Sequence, residues 1–264
     1  MLSRPGRVPV VLLHALSMNA SMWDAQRAAL EERGHRVLAP HQRGFGGAPL
    51  GVEPPSLDVV ADDVARLLDE HGIRRAAIVG SSMGGYVAMA FLRRHPGRAL
   101  GLGLLSCRAT ADDDRARADR ERFASGMEEA QTARQLIEAT TPMLVGSTTR
   151  TQRPGVLARV RALAAEADPP SLAWAQRAIA ARVDSTDVLR FTRVPAVVVA
   201  GAQDPLVSPQ ESLDTARLLP GGELVTVPGT GHLQPVESPG PVTDILIALL
   251  DRLDTAERRE ADAC

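Results

Sequence analysis

The chain has 264 residues, of which 44% are hydrophobic and 3% aromatic, and a formal net charge of −2 at pH 7. This length and apolar content suffice for one large core, and the near-neutral balance carries no basic footprint for nucleic acid. With so few aromatic rings the core must rest on Val, Leu, Ile and Ala, and no stacking platform for single strands is apparent.

Two cysteines, Cys107 and Cys264, are too few for a disulfide framework and belong to no Cys/His cluster spaced for zinc. No metal or other cofactor is expected. Residues 1–7 carry two arginines, but the apolar run behind them, 8–13, is shorter than a signal-peptide core and lacks a small-residue cleavage site. No stretch approaches the length that crosses a bilayer. The expectation is a cytoplasmic protein in a reducing compartment, with neither a membrane nor a nucleic acid as partner.

In chain order, the strand-like run 8–13 opens into the loop His14-Ala15-Leu16-Ser17. A helical pattern over 21–33, a strand over 36–39 and a helix over 56–71 follow. A buried strand over 76–80 enters the pentad Gly80-Ser81-Ser82-Met83-Gly84, and an apolar helix leaves it toward His95. After a strand over 99–106 the alternation stops. Between 110 and 190 the text turns Ala-, Arg- and Glu-rich with helical spacing, cut by Pro154-Gly155 and Pro169-Pro170 into about four helices. The charge run at its start, Asp112 to Arg122, reads as a solvated helix face. Alternation resumes with strands over 196–201 and 223–227 and helices over 209–219 and 241–253, and the polar tail 254–264 is expected to be disordered.

Strand alternating with helix implies right-handed βαβ units and a mostly parallel sheet covered on both faces. The fold class is α/β, with 1–109 and 191–264 forming the core and 110–190 an inserted helical cap.

A serine centred on a strand-to-helix corner between glycines has its hydroxyl pushed into the open, which makes Ser82 the candidate nucleophile. Serine is nearly inert until a base takes its proton and a third group fixes that base. Of the six histidines, His35, His71 and His95 sit at helix ends or turns that suit a surface. His232 instead lies in a glycine-bracketed loop beyond the last strand, where open parallel sheets place ligands, and is the candidate base. Asp204 follows the strand over 196–201 and is the candidate acid. The rival position after the preceding strand offers Ser106, Cys107 and Arg108 but no carboxylate before Asp112. The oxyanion formed on attack needs N–H donors; Met83, next to the nucleophile, and Leu16 are the candidates.

These residues resemble the α/β-hydrolase superfamily over nearly the whole chain. His14-Ala15-Leu16 is similar to the family's oxyanion loop, Gln42-Arg43-Gly44-Phe45-Gly46 to its reverse turn, Gly80 to Gly84 to its elbow, and Gly201 to Asp204 and Gly231-His232 to its acid and base loops. Within the superfamily, the cap text and the His-Ala-Leu loop look most like 3-oxoadipate enol-lactonase-like and esterase-like hydrolases. Three features depart from the pattern. Ala15 replaces a glycine, so the loop must avoid a left-handed conformation there or bear strain. His41 stands where an aspartate is frequent. The antiparallel pair that usually precedes the first strand is missing, which implies six strands and an edge open to pairing, hence a monomer or a homodimer.

The expected activity is hydrolysis of a small carboxylic ester or lactone through an acyl-enzyme. Met127, Ile137, Met143, Leu144 and Trp174 are candidate pocket residues, joined by His14, which suits a loop-organising hydrogen bonder. The same residues would serve a carbon-carbon hydrolase, a perhydrolase or a catalytically silent ligand-binding homologue. An epoxide or haloalkane hydrolase is disfavoured, because its elbow carries a carboxylate where this chain has Ser82.

Overall fold

The computed structural model describes residues 7–262; the N-terminal arginine at position 4 and Cys264 lie outside the described residues. Six strands form one sheet: β1 (Val10–Leu13), β2 (Val37–Leu38), β3 (Ala76–Ser81), β4 (Ala99–Leu105), β5 (Ala196–Gly201) and β6 (Gly222–Val227). They lie in the order β2-β1-β3-β4-β5-β6, every pair parallel. The six-stranded parallel sheet expected from the alternation is present, and its edge at β2 is only two residues long, too short to offer a long template for another chain.

Every residue of β1, β3, β4 and β5 is buried, as expected for strands covered on both faces. Their side chains alternate between two cores. Val11, Leu13, Ile78, Leu104 and Val198 face one side, under α2 (Leu57–Glu70) and α3 (Met83–Arg94). Val10, Leu12, Val79, Leu105 and Val199 face the other, with α1 (Asp24–Glu32).

Between β4 and β5 lie α4 (Asp114–Gly126), α5 (Ala130–Thr140), α6 (Ser147–Gln152), α7 (Pro154–Ala165), α8 (Pro169–Ala180) and α9 (Thr186–Phe191). This exceeds the four helices expected, because Gly146 and Pro154 divide the middle of the segment into shorter pieces. Two further helices, α10 (Pro209–Leu218) and α11 (Gln234–Glu237), flank the last strand, and α12 (Pro239–Asp262) ends the described chain.

The expectation of a disordered tail from residue 254 is corrected up to Asp262, where α12 ends. Leu246, Leu249, Leu250 and Leu253 form one buried stripe at helical spacing, each contributing about 1.5–3 kcal/mol. Beyond them Asp254, 4% exposed, accepts the Val8 N–H at 2.8 Å and pairs with Arg7 at 2.7 Å, and Glu257 pairs with Arg75 at 2.9 Å. A polar composition here conceals specific partners at the start of β1 and β3. No helix among the described residues is long and apolar enough to cross a membrane.

Candidate active site

The sharp turn between β3 and α3 places Ser82 at φ 51°, ψ −114°, a backbone state that costs on the order of 1–3 kcal/mol for a residue with a side chain. The surroundings hold it there. Its N–H donates to the Leu105 carbonyl at 2.8 Å, and its carbonyl accepts from Gly85 at 2.9 Å and Tyr86 at 3.2 Å. The flanking glycines are required by contact: a Cβ on Gly80 would lie 2.1 Å from the Gly84 carbonyl oxygen, and one on Gly84 would lie 2.2 Å from that of Leu13.

The loop after β6 brings His232 to this turn, with Nε2 2.7 Å from Ser82 Oγ. Its Nδ1 lies 3.0 and 2.9 Å from the two carboxylate oxygens of Asp204. A carboxylate only accepts, so Nδ1 carries the proton and Nε2 is left to accept from the serine hydroxyl. Burial alone pushes the Asp204 carboxyl up, but the His232 hydrogen bond and charge and the Ser106 hydroxyl outweigh it and hold the group below the ordinary carboxylate range. Ser106 Oγ donates to Asp204 Oδ2 at 2.7 Å, and the buried Gln234 amide donates to that hydroxyl at 2.5 Å. The N–H groups of Leu206 and Val207 complete the shell at 2.8 and 3.1 Å. The strand end that lacks a carboxylate thus still serves the site, through Ser106.

A second buried carboxylate, Glu237, fixes the His232 loop itself. One oxygen accepts from the Gly231 and Leu233 N–H groups at 2.8 and 3.2 Å, the other from the Gly146 N–H and Thr149 hydroxyl at 2.8 and 2.6 Å. The His232 N–H in turn donates to the Leu144 carbonyl at 3.1 Å. Glu237 therefore ties the loop to the α5–α6 segment. Nothing in the sequence pattern marks it apart from an ordinary helical glutamate.

Beside Ser82, Leu16 and Ser17 line the same cavity as His232. Among the described residues, the N–H groups of Leu16 and Met83 donate to no other protein group. The loop avoids positive φ at Ala15 and places it at Ser17 instead, at 65°, which answers the missing glycine. His14 is a loop organiser: its Nε2 accepts the Gln42 N–H at 2.9 Å, so Nδ1 donates to the Ala15 carbonyl at 2.9 Å. Burial pushes this imidazole down to about 4. The departure at His41 is accommodated as well, since its Nδ1 accepts the Ala20 N–H at 3.2 Å.

The cavity over Ser82 has a volume of about 510 Å³, within the range of small-molecule sites. Met143 and Leu144 line it, together with Phe123, Ile179, Leu206 and Val207. The other pocket candidates lie elsewhere. His14 is wholly buried behind the loop, Met127 and Trp174 pack into the core with the Trp174 indole donating to the Glu53 carbonyl at 2.9 Å, and Ile137 borders a separate hollow near Arg161. Apolar type alone does not tell which face of a helix looks inward. His35 is corrected too: it is 4% exposed and bonds the Val8 carbonyl at 2.9 Å rather than lying on the surface.

The sequence reading missed the polar wall, formed by Tyr86, Arg108, Arg120 and Gln176. The run from Asp112 to Arg122 is not simply a solvated face. Asp112 is 3% exposed and bonds Arg108 at 2.7 Å, Arg120 at 2.5 Å and Arg182 at 2.7 Å. Burial alone would raise its carboxyl, but the Arg182 hydrogen bond and the charge of Arg120 hold it well below the usual range. Arg182 also lies over the Tyr86 ring, 4.3 Å from its centroid. The (i, i+4) step from Arg108 to Asp112 and the (i, i+8) step to Arg120 were the available signal.

Residues 8–239 match the model of the α/β hydrolase fold family. Among solved structures, a thermophilic esterase from Thermogutta terrifontis, solved with malate bound, superposes with a TM-score of 0.89 at 33% identity, covering 94% of this chain and 90% of that one. An enol-lactonase from Burkholderia xenovorans gives 0.83 at 27% identity, covering 94% of each chain. Among curated relatives, an AB hydrolase superfamily protein of Bacillus subtilis is 34% identical over 104 residues, 39% of each chain, and epoxide hydrolase A of Mycobacterium tuberculosis is 36% identical over 39% of this chain and 32% of its own. The chain thus spans well under half of these two relatives.

Proposed function

Because this chain belongs to the α/β-hydrolase family, we propose that it hydrolyses a small carboxylic ester or lactone, with Ser82 as nucleophile, His232 as general base and acid, and Asp204 as the group that orients and charges-balances His232. Ser82 Oγ attacks the carbonyl carbon while its proton passes to His232 Nε2. The oxyanion is received by the Leu16 and Met83 N–H groups, each such donor being worth about 10²–10³ in rate. His232 then gives its proton to the leaving alkoxide, which departs from an ester or stays tethered in an opened lactone. Water, deprotonated by His232, releases the acyl group and restores Ser82.

The observation that carries this reading is the 2.7 Å contact between Ser82 Oγ and His232 Nε2 with Asp204 behind it. Solved esterase and enol-lactonase neighbours support the choice of bond, and a hydroxyl at the elbow, in place of a carboxylate, speaks against epoxide opening. In a panel of short-chain esters and lactones, Ser82→Ala is expected to lower kcat by about 10⁴–10⁶-fold. Turnover that survives this substitution sinks the mechanism.

A further inference from the structure

The proposed hydrolysis leaves the polar wall of the cavity without a task. Arg108 and Arg120 line the same space as Ser82 and His232, and their side chains are 19% and 22% exposed. Arg108 stands two residues beyond Ser106, whose hydroxyl touches Asp204, so the cations lie on the rim of the strand ends that carry the chemistry. Tyr86, one helical turn after Ser82, lines the space between.

The charges there do not cancel. Arg108, Arg120 and Arg182 converge on Asp112, and the second carboxylate within reach is Glu211, 3.4 Å from Arg108. Three guanidiniums facing two carboxylates leave one positive charge over. Asp119 also lines the cavity but pairs with Arg122 on the exposed side, which leaves the count unaltered. The surplus has open donors. Arg120 commits Nε to Asp112 and Nη1 to Gln176, and among the described residues Nη2 has no acceptor; Arg108 Nε is likewise uncommitted. Neither nitrogen is among the buried polar atoms that lack a partner, so both are open to the cavity and within reach of an anion that enters it.

We propose that Arg108 and Arg120 form an anion subsite that selects esters or lactones bearing one carboxylate, which docks on the free guanidinium edges while the scissile carbonyl faces Ser82. The surplus of a single charge favours a monoanion over a phosphate dianion, and the uncommitted nitrogen of each arginine offers a charged N–H donor to a carboxylate. The opposite wall, with Phe123, Met143, Leu144 and Ile179, takes the hydrocarbon part. This specificity rests on the hydrolase reading above.

The test compares kcat/KM for monomethyl glutarate and for the neutral methyl pentanoate. The wild-type chain is expected to favour the charged ester by tenfold or more. Arg120→Met and, separately, Arg108→Met should reduce that ratio at least tenfold, chiefly through KM, and Arg120→Lys should restore part of it. A wild-type preference for the neutral ester, or a ratio that neither methionine variant moves, overturns the subsite. Should neither ester turn over, calorimetric titration with free pentanoate, a monocarboxylate, decides the matter separately: binding weakened tenfold in Arg120→Met upholds the subsite and counts against the ester reading. Absent pentanoate binding, or binding that Arg120→Met leaves unchanged, overturns it.

Discussion

Two carboxylates are buried beside the cavity and are satisfied in opposite ways. Asp112, at the root of the cap, is met by three guanidiniums. Glu237, under the His232 loop, accepts three backbone N–H groups and one hydroxyl. Neutral donors fix a loop in place without importing further charge, which suits a site where the imidazole must stay where it is. Guanidiniums instead bring more charge than one carboxylate absorbs, and the excess faces whatever enters the cavity. The same residue chemistry therefore gives rigidity on one side of Ser82 and selectivity on the other.

Removing each carboxylate separates the two designs. Asp112→Ala strands three cations and is expected to cost about 3–5 kcal/mol of stability, read as a lowered midpoint in urea. Added formate should return part of that loss by occupying the vacated position. In acid the wild-type contribution follows the same logic: the Asp112 carboxyl is held below its unfolded value, so its contribution is complete above the unfolded range and is lost as pH falls from there through the lower folded value.

His14 sharpens the contrast, as a buried group kept neutral. The unfolded imidazole takes a proton near pH 6.5, whereas the folded one resists to about 4. Between those values the unfolded chain binds more protons, so stability falls as pH falls. The loss reaches about 3 kcal/mol by pH 4. Thermal melting from pH 7 to 4 should show it, and the slope should flatten in His14→Gln; an unchanged slope would mean that another group titrates.

The smallest expected effect is at Glu237. Glu237→Gln turns one acceptor oxygen into a donor facing two donors, at a cost of about 2 kcal/mol. Its signature lies in catalysis, with kcat falling about 10- to 100-fold and KM nearly constant as His232 loses its fixed position. A variant that loses stability with kcat intact would limit Glu237 to a packing role.

The strand runs and the helices that flank them were legible because burial on both faces leaves a continuous apolar text that few other structures require. The elbow was legible for a similar reason, since a serine at that corner needs small neighbours on both sides. Ser106 sits at a strand end that offers no carboxylate, and nothing in its sequence context marks the hydroxyl that supports Asp204. Asp112 and Arg120 were hidden by their composition: a mixed charge run reads the same whether water or another helix faces it. Trp174 and Met127 erred the other way, as apolar residues that fill the core and not the cavity.

The sequence by itself determined the parallel sheet, the chain order of its elements and the candidates Ser82, His232 and Asp204, because local periodicity and glycine placement act between neighbours in the chain. Only the tertiary structure decided which cap residues look into the cavity, how Glu237 holds the base loop and where one positive charge is left over. Those depend on side chains from distant segments sharing a low-dielectric space, where the pairing of charges is set by three-dimensional packing and leaves no fixed spacing along the chain.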